Sequence, residues 1–229
     1  MDNNIKIFKN IEVKIDKERL IKKLCIKDDT KVEFLGILNS ALITAEPKAM
    51  FTKVKIDDRG EDYVTAEGIK FCSRILRVNL EDVYKVHPYI VTAGLELEKW
   101  SERFEEVLRK YWADSIKEEI LENTVDAVLN KLDEYYNLDK ASDMNPGSLK
   151  DWPISEQKKL FKLFDNPEAK IGVKLSDTML MYPTKSLTGI RFPTEIHFEN
   201  CQLCRRENCP GRRTAYNPEL YEKRYLINK

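Results

Sequence analysis

Imidazole groups are scarce in this chain: its 229 residues include only two histidines, His87 and His197. Neither forms part of a recognisable serine or cysteine triad, so the sequence does not indicate a self-contained hydrolase. A Walker-type phosphate loop and a G-x-G-x-x-G fingerprint are also missing. These absences exclude the P-loop nucleotidases and the Rossmann dinucleotide-binding enzymes.

The chain has no excess of charge of either sign and no long apolar run. Its 39 basic and 39 acidic residues cancel, so no overall attraction to nucleic acid or membranes follows. The longest apolar stretches, such as Phe34–Ile43, are far shorter than a membrane span, and no basic-then-apolar leader opens the sequence. We therefore expect a cytoplasmic protein without nucleic-acid or membrane partners, whose cysteines stay reduced.

Apolar spacing predicts a mixture of strands and helices. Met50–Ile56 is strand-like, and Leu80–Tyr84 is expected to be a short helix. Two long helices fill the middle of the chain and are expected to meet near Asp114, because Ser115 and Glu118 fit a capping box. Further along, segments 178–182 and 187–192 have the composition of two neighbouring strands of one sheet.

Three of the five cysteines stand within nine residues, at Cys201, Cys204 and Cys209. In a reducing compartment this spacing favours a metal centre, either zinc or an iron–sulfur cluster. The candidates for its fourth ligand are His197, Cys25, Cys72 and a ligand from outside the chain. The alternative, three ordinary thiols in a basic tail, is disfavoured by so close a grouping. Cys25 and Cys72 lie in apolar patterns and are expected to be buried.

Two loops contain small and polar residues that let the backbone approach a ligand. Asp143–Ser148 includes a Pro-Gly turn, and 185–189 carries Lys185 among hydroxylated residues. Each loop also has a plainer interpretation. A Pro-Gly turn commonly does no more than connect two elements, and a lysine is commonly a solvated surface residue.

Several stretches resemble, in the same order, the activation (reactivation) domain of cobalamin-dependent methionine synthase in a stand-alone form. They are Tyr89–Glu96, Asn145–Gly147, Trp152-Pro153, Lys174–Ser176 and Met181–Gly189, and the resemblance covers roughly residues 86 to 192. It implies an α+β fold in which a twisted antiparallel sheet packs against helices, including the long helices in the middle of the chain. It further implies a domain that binds S-adenosylmethionine and covers a cobalamin domain during reduction and remethylation.

The resemblance also implies a set of ligand-binding residues. The family loop R-x-x-x-G-Y corresponds to Asp143–Ser148, where Pro146 and Gly147 match and Asn145 lies within the loop. Asp143 and Ser148 stand where arginine and tyrosine are expected, so we expect S-adenosylmethionine to bind more weakly here than in the family, or not at all. A helix carboxylate of the family corresponds to Asp126, and its Ser-x-Ser-Gly-like strand motif corresponds to Ser186, Thr188 and Gly189. Lys185, next to this motif, is a candidate to face an anion.

These observations predict a domain at residues 1–196 that is like the activation domain, followed by a cysteine-rich basic tail at 197–229. The expected function is that of an accessory protein for reductive activation of a corrinoid protein, with the cobalamin supplied by the partner. Two alternatives remain open. One is a non-enzymatic module that binds a corrinoid protein and carries a structural zinc site; the other is a methyltransferase that uses a different S-adenosylmethionine site.

Overall fold

A computed structural model describes residues 5–209 and 211–226 of the chain. Residue 210 and the last three residues of the predicted basic tail lie outside these ranges. The fold is α+β, as the sequence predicts: antiparallel strands form a curled sheet against which the helices pack. No helix within the described ranges is long and apolar enough to cross a membrane.

The main sheet is organised around one long strand. Its strands are β1 (Lys6–Lys9), β2 (Lys48–Phe51), β3 (Val54–Arg59), β4 (Tyr63–Ala66), β5 (Ile69–Cys72), β6 (Lys85–Thr92), β7 (Ala141–Met144) and β10 (Ser186–Pro193). Strand β6 pairs with β2 and β3 along one edge and with β10 along the other. Strand β10 in turn pairs with β7, so the chain segment after β7 lies next to β10. A separate two-stranded sheet joins β8 (Lys174–Leu175) and β9 (Met181–Tyr182).

The helices are α1 (Lys17–Lys23), α2 (Asp28–Thr44), α3 (Arg74–Asn79), α4 (Leu95–Glu102), α5 (Val107–Tyr136), α6 (Gln157–Phe161), α7 (Pro167–Ile171) and α8 (Pro218–Leu220). A 3-10 turn at Ile154–Glu156 precedes α6, another spans Asn200–Gln202, and a π-helical turn at Tyr221–Tyr225 follows α8. The Asp16 carboxylate caps the start of α1, since it accepts a hydrogen bond from the Arg19 backbone N–H at 2.9 Å.

Helix α5 connects the sheet to the other helices. Its first half packs Ile116 and Ile120 against α2 and α4. Its second half packs Val125, Val128 and Leu132 against the sheet, in one core cluster with Tyr89 and Val91. Apolar residues spaced three and four apart place both contacts on one stripe of the helix. The other face of the sheet covers a second core that includes Trp152 and Phe192.

Several local predictions are wrong. Residues around Asp114 lie inside the single helix α5, where the Ser115 hydroxyl donates to the Tyr111 carbonyl four residues earlier instead of capping a new helix. The predicted helix Leu80–Tyr84 is a turn, because α3 occupies the preceding residues and ends at Asn79.

Two strand predictions also need correction. The run Met50–Ile56 is two strands, β2 and β3, which pair with successive parts of β6. Strands β9 and β10 do not pair with each other, since β9 belongs to the small sheet and β10 to the large one. Strand β7 was not predicted, because its four residues carry no clear alternation of apolar and polar side chains.

Two buried aromatic residues anchor the tail to the main core. Phe198 and Tyr225 are both fully buried in the cluster that contains Trp152. The Phe198 backbone N–H donates to the Ser142 hydroxyl at 2.7 Å, and the Tyr225 hydroxyl donates to the Asn79 side chain at 2.8 Å. The cysteines lie between these two anchors. The division into residues 1–196 and 197–229 stays a prediction.

Candidate functional site

A buried polar cluster forms where the loop after β7 meets β6 and β10. The Asn145 side-chain amide donates to the Tyr89 hydroxyl at 2.8 Å and to the Thr188 carbonyl at 2.9 Å. The Asn145 side-chain oxygen Oδ1 accepts a hydrogen bond from the Asn200 side-chain amide at 3.2 Å. Asn145 therefore ties the loop to two strands and to the start of the tail, and it is the central residue of the site.

Gly189 makes this cluster sterically feasible. It lies within β10, opposite Tyr89 on β6. A Cβ atom at position 189 would lie 2.5 Å from the Asn145 amide nitrogen and 2.5 Å from the Tyr89 hydroxyl oxygen. The sequence places this glycine in a turn that faces a ligand. In the structure it is a strand residue whose missing side chain leaves room for two protein side chains.

A charged triplet lies beside the cluster. Arg191 is opposite Asp143 in the β7–β10 pair, and its guanidinium reaches the Asp143 carboxylate at 3.3 Å. The same guanidinium pairs with Asp133 of α5 at 2.6 Å. Burial raises the pKa of the Asp143 carboxyl, although the Arg191 charge acts in the opposite direction. The Tyr89 hydroxyl also donates to Asp143, at 3.2 Å, and burial raises the pKa of Tyr89 well above its usual value.

The Pro146-Gly147-Ser148 segment is a tight turn on the outer side of the cluster. The Gly147 backbone N–H donates to the Trp152 carbonyl at 2.8 Å, and Gly147 adopts a φ of 85°. Glycine is required for this conformation, because other residues rarely adopt a positive φ. A Cβ atom there would also lie 2.9 Å from Ile154. Pro146 is buried and Ser148 is exposed.

The residues predicted at 185–188 lie near the opposite end of β10 from Arg191. Lys185 forms ion pairs with Asp114 at 3.1 Å and Glu118 at 3.3 Å, which fasten this end of the strand to α5. The buried Ser186 hydroxyl contacts the Thr92 hydroxyl at 2.9 Å. Thr188 is buried and joins the polar cluster only through its backbone carbonyl. The site therefore brings together Asp143, Asn145, Thr188 and Gly189, while Lys185 and Ser186 serve another contact.

Asp126 meets the tail rather than the loop. This exposed carboxylate on α5 lies 3.8 Å from the Arg213 guanidinium. The Arg213 charge also lowers the pKa of Asp143, against the larger opposing effect of burial. Through Asn200 and Arg213 the tail thus contacts two of the predicted ligand-binding residues.

The cysteine segment is organised by one arginine. The Arg212 guanidinium donates to the backbone carbonyls of Cys201 and Cys204, each at 3.2 Å, and to that of Arg206. Cys201, Cys204 and Cys209 are half-buried free thiols. The Cys201 sulfur accepts from the Arg213 backbone N–H at 3.5 Å. Arg212 therefore fixes the backbone that carries the thiols.

The structure does not itself show a metal centre. In residues 5–209 and 211–226 no group of three or more His, Cys, Asp and Glu side chains is arranged to hold an ion. The His197 ring nitrogens face Ser142 at 3.5 Å and Glu199 at 3.2 Å. Metal binding at the three thiols and His197 stays a prediction.

The expectation that Cys25 and Cys72 are buried is wrong, because both are exposed. Cys25 follows the end of α1 with a φ of 52°. Cys72 alternates with the buried Phe71 and so points away from the core.

Sequence reasoning missed several members of the site, namely Tyr89, Asp133, Arg191, Asn200 and Arg213. They come from β6, α5, β10 and the tail, and no local spacing connects them. The one sign of this site in the sequence is a cation, at position 191, within an apolar strand. Its partners depend on the strand register, which a short segment such as β7 does not reveal.

Comparison with known proteins gives a structural likeness only. No protein-family model matches the chain, and no curated protein matches its sequence. Among solved structures it is similar to the crystal structure of the MetH reactivation domain bound to AdoHcy, with a TM-score of 0.56 and 14% identity. The match covers 87% of this chain and 82% of that one. At this identity the likeness defines the fold, and this fold is the one that the sequence resemblance implies.

Proposed function

We propose that this chain is an accessory protein for the reductive activation of a cobalamin or other corrinoid protein, in methionine synthesis or another methyl transfer. The observation that carries the proposal is the fold likeness to a reactivation domain over most of both chains, together with the ordered sequence resemblance. The corrinoid belongs to the partner and supplies the chemistry, while this chain supplies positioning.

The polar cluster fits a positioning role better than a catalytic one. Hydrogen bonds link Asn145 to the Tyr89 hydroxyl and that hydroxyl to Asp143. Arg191 neutralises the Asp143 carboxylate. Groups that are buried and mutually paired hold a loop in place but do not exchange protons readily near neutral pH. The cluster therefore shapes the outer surface of the 143–153 loop.

The partner is expected to contact the segments 143–153 and 182–192. An exposed apolar side chain lies next to the first segment and at the start of the second: Ile154, which follows residue 153, is 46% exposed, and Tyr182 is 44% exposed. Large apolar side chains at a surface commonly anchor an interface. Gly147 is a poor probe of this surface, because any replacement strains the turn as well.

A binding assay with a cobalamin-carrying domain tests the proposal. We expect a transient complex that prefers either the cob(II) or the methylated state, because a partner shifts an equilibrium only through differential affinity. Ile154→Ala should raise Kd roughly fivefold, which corresponds to ~1 kcal/mol. Ile43→Ala, at an exposed apolar position on α2, is the matched control and should leave Kd unchanged. Equal affinity for both states, or no binding to any corrinoid protein, contradicts the proposal.

S-adenosylmethionine is proposed to bind weakly. The chain has a carboxylate at position 143, and the nearby Arg191 already pairs with two carboxylates, so Arg191 does not offer a free guanidinium fork to a ligand carboxylate. Calorimetry should show weaker binding than in a reactivation domain that has the arginine. Tight binding that persists in Ser148→Ala would contradict this view.

The cysteine segment is proposed to hold one metal centre. Three thiols on a backbone fixed by Arg212 support this, although the segment has to close further around an ion. Anaerobic preparation followed by iron, zinc and sulfide analysis should find about one centre per chain. Iron with sulfide favours electron transfer to cobalt, whereas zinc favours the structural alternative. An unchanged metal content in Cys201→Ser and Cys204→Ser would refute the site.

A further inference from the structure

An open cleft lies between the tail and residues 148–151 of the 143–153 segment, and the polar cluster does not account for it. Its volume is about 650 Å³, a size that suits a ligand of several hundred daltons. Its apolar lining includes Leu149 and Leu203, and its rim carries basic and tyrosine side chains. We call it the tail cleft.

The rim of the tail cleft is positively charged. Lys150, Arg205 and Arg206 line it, and within the described part of the chain none has a carboxylate within 4.0 Å. The one acidic lining residue, Asp151, is turned inward: its carboxylate accepts from the Ser73 hydroxyl and from the Ile75 backbone N–H. Three cations without acidic partners around one cavity favour an anionic ligand.

Two tyrosines complete the rim. Tyr216 and Tyr221 both line the cleft and are partly exposed. The Arg205 side chain donates to the Tyr216 hydroxyl at 3.2 Å, which fixes the guanidinium next to the ring. Arginine forks match phosphate oxygens in a bidentate manner, and tyrosine faces stack on planar rings. The combination suits a ring and a phosphate within one molecule.

We propose that the tail cleft binds a nucleotide, with its phosphates on Arg205, Arg206 and Lys150 and its base against the tyrosines. This site uses neither a Walker loop nor a dinucleotide fingerprint, and it goes beyond the proposed function without depending on it. A half-buried thiol, Cys204, lines the same cleft and reports on its occupancy.

The test is protection of Cys204 from alkylation, followed by mass spectrometry of the full chain in the presence of a chelator. A bound ligand slows modification by the factor 1 + [L]/Kd, so ADP at ten times its Kd should slow Cys204 roughly tenfold. Cys25 is an exposed thiol on a different part of the surface, and it should react at an unchanged rate. Pyrophosphate lacks the base and should protect less than ADP. Adenosine lacks the phosphates and should protect least.

Two variants complete the experiment. Replacing both arginines, Arg205→Gln with Arg206→Gln, should abolish protection by ADP. Lys223→Gln changes a tail cation that is paired with Glu219 and lies outside the lining, so it should retain protection. An unchanged thermal unfolding transition in each variant verifies that the fold persists. The proposal is overturned if ADP fails to slow Cys204, slows both thiols alike, or protects the double variant fully. No corrinoid protein is involved, so the outcome is independent of the activator proposal.

Discussion

Replacing Gly189 with alanine is the sharpest test of how the polar cluster is built. The new Cβ atom would lie 2.5 Å from the Asn145 amide nitrogen and from the Tyr89 hydroxyl oxygen, and 2.6 Å from the Tyr89 ring. Ordinary contacts begin near 3.4 Å, so these atoms must move by about 0.9 Å. Tyr89 is fully buried between β6 and α5 and has little room to move.

The expected cost has two parts. Overpacking a buried site costs about 1 to 3 kcal/mol. Losing the 2.8 Å hydrogen bond between Asn145 and Tyr89 adds about 1 kcal/mol. Gly189→Ala should therefore lower the free energy of unfolding by about 2 to 4 kcal/mol, measured by urea denaturation with an unchanged m-value.

A matched control and a double variant sharpen this prediction. Gly36 lies inside α2, where a Cβ atom would meet nothing within 4 Å, so Gly36→Ala should stabilise the protein by about 0.5 to 1 kcal/mol. Asn145→Ala removes one of the groups that the new methyl at position 189 would strike, so the two changes should couple by at least about 1 kcal/mol. A cost below about 0.5 kcal/mol for Gly189→Ala, or strict additivity, would refute the packing argument.

Three further predictions concern charge and the tail. Burial lowers the pKa of His87 from 6.5 to about 4. Between these two pH values the imidazole is therefore neutral in the folded protein and protonated in the unfolded chain. Between pH 7.5 and 4.5 the wild type should therefore lose about 2.5 kcal/mol more unfolding free energy than His87→Phe, and parallel losses would contradict this. Arg191→Gln leaves two carboxylates unpaired and should cost about 3 kcal/mol at pH 7, partly recovered by adding Asp143→Asn; full stability in the single variant would refute the pairing. Phe198→Ala should cost about 3 kcal/mol in a single thermal transition, whereas a separate early transition would mean that the tail unfolds alone.

Much of the fold follows from local sequence. The apolar spacing of α5 and the Pro-Gly turn each act within a few residues, so periodicity and turn chemistry identify them. Errors arose where local signals competed with tertiary contacts. Ser115 has the sequence of a cap, yet continuous packing of the helix stripe on α2 and then on the sheet stabilises one long helix through it.

The sequence by itself determined that the loop at 143–148 makes a glycine turn and that three thiols lie close together along the chain. Only the tertiary structure decided what surrounds them. The register of β10 on β7 and β6 places Arg191 against Asp143 and Gly189 against Tyr89, and the tail returns to bring Asn200 to Asn145. Arg191 lies 48 residues from Asp143 along the chain, and Asn145 lies 55 residues from Asn200 and 56 from Tyr89. Side chains so far apart in sequence meet only because burial of the two cores fixes how the strands and the tail pack, and no local pattern records that arrangement.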